Sequence, residues 1–60
     1  MTREDLVEAC ARAAHEAMRS YCTARGDTSF ASWENADEWQ RSVTRTAVAV
    51  VRAMAEALQT

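Results

Sequence analysis

The chain contains no proline and one glycine, Gly26. Those two residue types are the ones that stop a helix outright, so sixty residues are left with two long uninterrupted segments and one natural place to turn. Met-Thr-Arg-Glu-Asp opens the first segment as a helix start, with Thr2 as N-cap, Asp5 three residues on and acids in the first turn. At about 100° per residue, Leu6, Cys10, Ala13, Ala14, Ala17, Met18, Tyr21 and Ala24 fall on one side of that helix. Glu8, Arg12, Glu16, Arg19 and Thr23 fall on the other, with Glu8–Arg12 and Arg12–Glu16 spaced as i,i+4 pairs. The spacing predicts a helix over 3–25, closed by Gly26 in a left-handed conformation.

The second segment carries its own start signal. Asn35-Ala-Asp-Glu38 reads as a capping box, which predicts a helix over 36–58 and a connector over 26–35. Its apolar arc holds Trp39, Val43, Ala47, Val50, Val51, Met54 and Leu58; Arg41, Arg45, Arg52, Glu56 and Gln59 form a polar stripe. Val48 lies in the middle of that stripe and Ala55 at its border, so the helix is apolar nearly all round and expects burial on more than one side. The run Thr-Ala-Val-Ala-Val-Val also suits a strand, but capping, length and the flanking helix formers favour the helix.

The expected fold is all-α, a two-helix antiparallel hairpin with an aromatic connector, forming a single domain over 1–60. Ala dominates the apolar residues, and a methyl group hides little surface. A hairpin lined mostly by Ala does not offset the ordering cost of its residues, so completion by homo-oligomerisation is expected. Val48, Val51, Met54, Ala55 and Leu58 are the expected intersubunit residues. Cys10 and Cys22 lie too far apart on one helix for a disulfide, roughly 18 Å of rise, and are expected as reduced, buried thiols.

The connector concentrates the aromatic mass. The stretch Gly26 to Ser42 contains the chain's single Phe and both of its Trp residues. It is long for a helix–helix turn, so Phe30 and Trp33 are expected to fold back over the open end of the hairpin, supported by Trp39. Trp faces also accept flat ligands such as a purine.

Several function classes are excluded or disfavoured. A net charge of −2 and a pI near 5.2 lack the basic stripe of a DNA or RNA binder. No apolar run reaches the roughly 20 residues of a membrane span, and the N-terminal residues are not a secretory signal. His15-Glu-Ala-Met-Arg19 lacks the second His of a zinc-protease helix. Cys10, His15 and Cys22 span too many turns to share a metal, and His15 and Cys22 are about 10 Å of rise apart, too far for a catalytic pair. No enzyme activity, metal or cofactor is expected, and Arg25-Gly-Asp27 is read as a coincidental match to an adhesion motif.

The stretches "ARAAHEAMRSYCTARGD" and "SWENADEWQRS" resemble the leading segment of small bacterial and phage proteins that carry ryanodine-receptor-repeat (RyR) domains. The matches are His15, Glu16, Arg19, Tyr21, Cys22, Gly26, Asp27, Trp33, Glu34, Ala36, Glu38, Trp39, Gln40, Arg41 and Ser42, across roughly residues 9–42. Asp37 stands where that pattern has Pro. The second half of the repeat is replaced by the Ala/Val helix Thr44 to Thr60. The resemblance implies a cytoplasmic setting, the host cytoplasm for a phage product, and a role as a sponge for a nucleotide-derived immune signal, ADP-ribose-like or cyclic. Arg19 would meet the phosphate, Trp33 or Tyr21 the base, and His15, Glu16 and Gln40 the remaining polar groups, with Trp39 also in the expected ligand set. The competing expectation is a protein–protein module that inhibits a host effector through an apolar helix face. In both, the chain partners itself.

Overall fold

The computed structural model describes residues 1–59. It contains two helices, α1 (Arg3–Ala24) and α2 (Glu38–Leu58), packed against each other and joined by a connector without regular structure. There is no strand among the described residues, and the Val-rich run lies inside α2. Neither helix is long and apolar enough to cross a membrane.

The ends of α1 follow from local chemistry. Thr2 Oγ1 accepts the Asp5 N–H at 3.1 Å while Asp5 Oδ2 accepts the Thr2 N–H at 3.2 Å, a reciprocal capping box. At the other end the Gly26 N–H reaches the Thr23 carbonyl at 3.0 Å and the Asp27 N–H reaches the Cys22 carbonyl at 2.9 Å. This is a Schellman closure, and it needs the positive φ of +92° that Gly26 adopts without steric cost. The helix therefore ends at Ala24, one residue short of the expected boundary, with Arg25 as its cap.

The start of α2 corrects the expected boundary. Asn35 does not cap it: the Asn35 and Ala36 N–H groups both turn back onto the Ser32 carbonyl, at 3.0 and 2.8 Å. That separate turn consumes the residues assigned to the capping box. Asp37, in extended conformation, is the N-cap, and its Oδ1 accepts the Gln40 N–H at 2.9 Å.

The larger correction concerns which faces meet. The α1 residues that lose exposure include Val7, Glu8, Ala11, His15 and Glu16, and those of α2 are Gln40, Arg41, Thr44, Arg45, Val48 and Arg52. The seam thus runs along the sides that hydropathy assigns to solvent. It is joined by an Arg45–Glu8 ion pair, and Arg3 and Val7 share a groove with Ala49, Arg52 and Ala53. The expected apolar arcs largely face water instead: Met18, Tyr21, Trp39, Val43, Val50, Val51, Met54 and Leu58 are all about half exposed or more, and Leu6 alone of the expected α1 arc is part-buried. Helical periodicity reports that an arc is destined for burial, not against what. Here the connector marks which side of α1 faces inward, because its Ala31 carbonyl is bonded to the buried His15.

Two further expectations change with this rotation, that for Val48 and that for the two thiols. Val48 is part-buried in the seam between the helices rather than standing out as a surface for other copies. Val51, Met54, Ala55 and Leu58 remain exposed. Cys10 is exposed and Cys22 only part-buried, so neither thiol is a core residue.

The boundary at Asp37 is testable. Asp37→Ala should destabilise the fold by about 1 kcal/mol through loss of the cap, whereas Asn35→Ala should leave the urea midpoint nearly unchanged. The opposite ranking would restore the earlier boundary.

Candidate functional site

The best-built cluster in the molecule is the corner where the connector lies on α1. His15 is 1% exposed and sits one turn after Ala11, which is fully buried. Ala11 and His15 thus fall one above the other on the buried side of the helix. The His15 Nε2–H donates to the Ala31 carbonyl at 2.7 Å, which places the proton on that nitrogen. Phe30 lies against the imidazole with ring centroids 4.8 Å apart, and Trp33 meets it edge-on at 5.5 Å. Trp33 and Ala36 are the other buried residues of the corner, each 5% exposed.

Charged groups clamp this small core from outside. Glu16 Oε2 accepts the Trp33 backbone N–H at 2.8 Å, and its Oε1 accepts from Arg19 Nη1 at 3.2 Å. Arg12 pairs with Glu34, tying α1 to the connector a second time. On the α2 side, Arg45 spreads its guanidinium over the Trp33 ring, 5.4 Å from the centroid. The same Arg45 donates from Nε and Nη2 to both Glu8 oxygens, at 2.5 and 3.2 Å, and from Nη1 to Glu38 at 2.9 Å. Arg41 adds a 3.1 Å pair to Glu38 and a 3.4 Å bond to the Trp33 carbonyl. One arginine therefore links α1, the connector and the first turns of α2 in a bidentate geometry that lysine cannot reproduce.

These contacts set the charge states. The Arg45 hydrogen bonds hold Glu8 and Glu38 below the ordinary carboxylate range, and Arg45 is held still further above its own ordinary value. Glu16 is lowered chiefly by the Trp33 N–H, then by Arg19. Asp27 is lowered by the Ser29 hydroxyl and N–H, which close the turn after Gly26.

The structure brings together only part of the ligand set expected from sequence. His15, Glu16 and Trp33 meet, and Arg19 joins them through Glu16, but each is engaged in holding the corner. Tyr21 stands 65% exposed on α1 with Arg25 at 5.6 Å from its ring. Trp39 is 75% exposed and lines a shallow groove with Ser42, Val43, Thr46 and Ala47 on the outside of α2. It does not support Phe30 and Trp33. The Gln40 backbone serves the helix cap, and its carbonyl accepts the Thr44 hydroxyl at 3.0 Å.

Glu8, Glu38 and Arg45 were not among the expected site residues. No single-helix pattern could select them, because positions 8 and 45 are neighbours only once the corner has fixed both rotations. The expected Glu8–Arg12 and Arg12–Glu16 pairs give way to these cross-element partners. Comparison of the chain with protein families, curated proteins and solved structures finds no match.

A pH dependence follows from the lowered carboxylates. Their folded-state pKa values lie below the unfolded 4.5, so the stability they contribute is present above about pH 4.5 and is lost as pH falls through the lowered values. Thermal melts should show wild type above Glu8→Gln at pH 7, with the gap closing as pH drops below 4.5. A gap that is constant across this range would show that Glu8 has no ionised partner in the fold.

Proposed function

We propose that this chain is a non-enzymatic protein-interaction module, an antiparallel hairpin whose working surface is the outward face of α2. One observation carries the reading. All the charged residues of α2, namely Glu38, Arg41, Arg45, Arg52 and Glu56, are gathered toward one side, and the broad opposite side carries none. That side presents Trp39, Val43, Val50, Met54 and Leu58 to water. A monomeric protein rarely leaves so continuous an apolar stripe uncovered, and such stripes mark sites of association. An amphipathic helix of this kind reads a groove or another helix by apolar anchors three and four residues apart.

Capture of a nucleotide-derived signal has less support. His15, Glu16 and Trp33 would have to meet the ligand, and they already satisfy one another across the corner. The three described grooves are lined by α2 and the first turns of α1, not by His15, Arg19, Tyr21 or Trp33. The acidic balance directs the stripe toward protein surfaces rather than nucleic acid.

A thermal-shift screen with millimolar ADP-ribose and cyclic mono- and dinucleotides should leave Tm unchanged. A saturable rise in Tm that vanishes in Arg19→Ala would replace this reading with ligand capture, because a ligand that binds only the folded state must raise Tm.

A further inference from the structure

The outward stripe of α2 has an internal symmetry that says what covers it. Its central residues are Trp39, Val43, Ala47, Val50, Met54 and Leu58, separated by four, four, three, four and four positions, with Val51 and Thr46 flanking them at equivalent places on the two edges. The same spacings are read in either direction about a point midway between Val48 and Ala49. On a straight helix these positions drift over an arc of roughly 100° while the chain climbs about 1.5 Å per residue, so the stripe is a narrow seam rather than a scattered set. Every one of the six is exposed.

We infer that the occupant of this seam is α2 of a second copy, related by a two-fold axis that crosses the helix between Val48 and Ala49, with the two helices antiparallel. This rests on the interaction surface proposed above and names its partner. In that arrangement Trp39 of one protomer lies beside Leu58 of the other, Val43 beside Met54, and Ala47 beside Val50. Large residues meet large or medium ones at the ends, and the small Ala47 lies next to the axis, where two helices approach most closely. A two-fold interface must be self-complementary, and the palindromic spacing meets that requirement.

Two other observations favour a copy over an unrelated partner. The first is charge. A seam free of charged residues brings no like charges together when it meets itself, since Glu38, Arg41, Arg45, Arg52 and Glu56 all lie toward α1. The second is size. Trp39, Val43, Val50, Met54 and Leu58 are 49–85% exposed and run the length of α2, so the seam offers a continuous apolar surface of the kind a stable interface, roughly 800 Å² per partner, is built from. Among the described residues only Ala11, His15, Trp33 and Ala36 are buried, and none of them is in α2. A helix with so little core of its own needs a cover that is present whenever the chain is folded.

Light scattering over a concentration series and photo-cross-linking test this together. With p-benzoylphenylalanine in place of Trp39, and isotopically light and heavy chains mixed to mark intersubunit products, the wild-type background should give a dimer mass and cross-links to partner residues 54–58. Val50→Glu, with helicity checked by circular dichroism, should give a monomer mass and lose those cross-links. Cross-links to the partner's own position 39, or to its α1 around Met18 and Tyr21, would overturn the antiparallel pairing. A monomer throughout the series that binds an apolar dye would overturn self-association and leave the stripe as a surface for another protein. A monomer that binds no dye would overturn both readings.

Discussion

His15 donates to a connector carbonyl from the middle of a helix, and the placement of everything else follows from that bond. A buried imidazole costs free energy unless its polar atoms are paired. The Ala31 carbonyl at 2.7 Å supplies the partner, and Phe30 and Trp33 close over the ring. Once the connector lies against His15, the side of α1 that carries it, with the fully buried Ala11 one turn before, is the inner side. The chain then enters α2 with its rotation already chosen, and Arg45 falls onto both Trp33 and Glu8. A polar seam between two helices is the outcome, and two apolar arcs are left on the outside.

Much of the backbone was legible from local chemistry. Thr2 with Asp5 and Gly26 with Asp27 mark the ends of α1 because the groups that satisfy them are within five residues in sequence. The same locality explains the miss at α2. Asn35 and Asp37 are both good caps, and the choice fell to Asp37 because the Ser32 carbonyl captures the N–H groups of Asn35 and Ala36 in a turn of its own. The aromatic plug was also legible, in Phe30 and Trp33, since two large rings in a connector have only the helices it joins to pack against. Trp39 was not, because its position depends on helix rotation rather than on sequence proximity.

The faces of the helices could not be read from periodicity, and the reason is physical. A hydrophobic arc minimises its exposure in the final assembly, not in the protomer. Glu8 and Arg45 look like solvated residues when each helix is plotted alone, yet together they form the strongest electrostatic link between the helices. Val48, isolated among arginines on the wheel, is the apolar residue that the seam needs. The arcs that hydropathy assigns to the hairpin core stand largely exposed, and of the residues expected to meet a ligand His15, Glu16 and Trp33 hold the corner while Tyr21 and Trp39 face water. On this account the functional surface and the unfinished core are the same residues.

The claim that the helices meet through their polar sides is tested most directly by a double-mutant cycle on Glu8→Gln and Arg45→Gln, read by urea unfolding at pH 7. If the two side chains face each other as described, each single change is destabilising and the double variant loses less than the sum of the two. Strict additivity, with both single variants as stable as wild type, would mean that positions 8 and 45 lie on opposite outer surfaces and that the apolar arcs face inward after all.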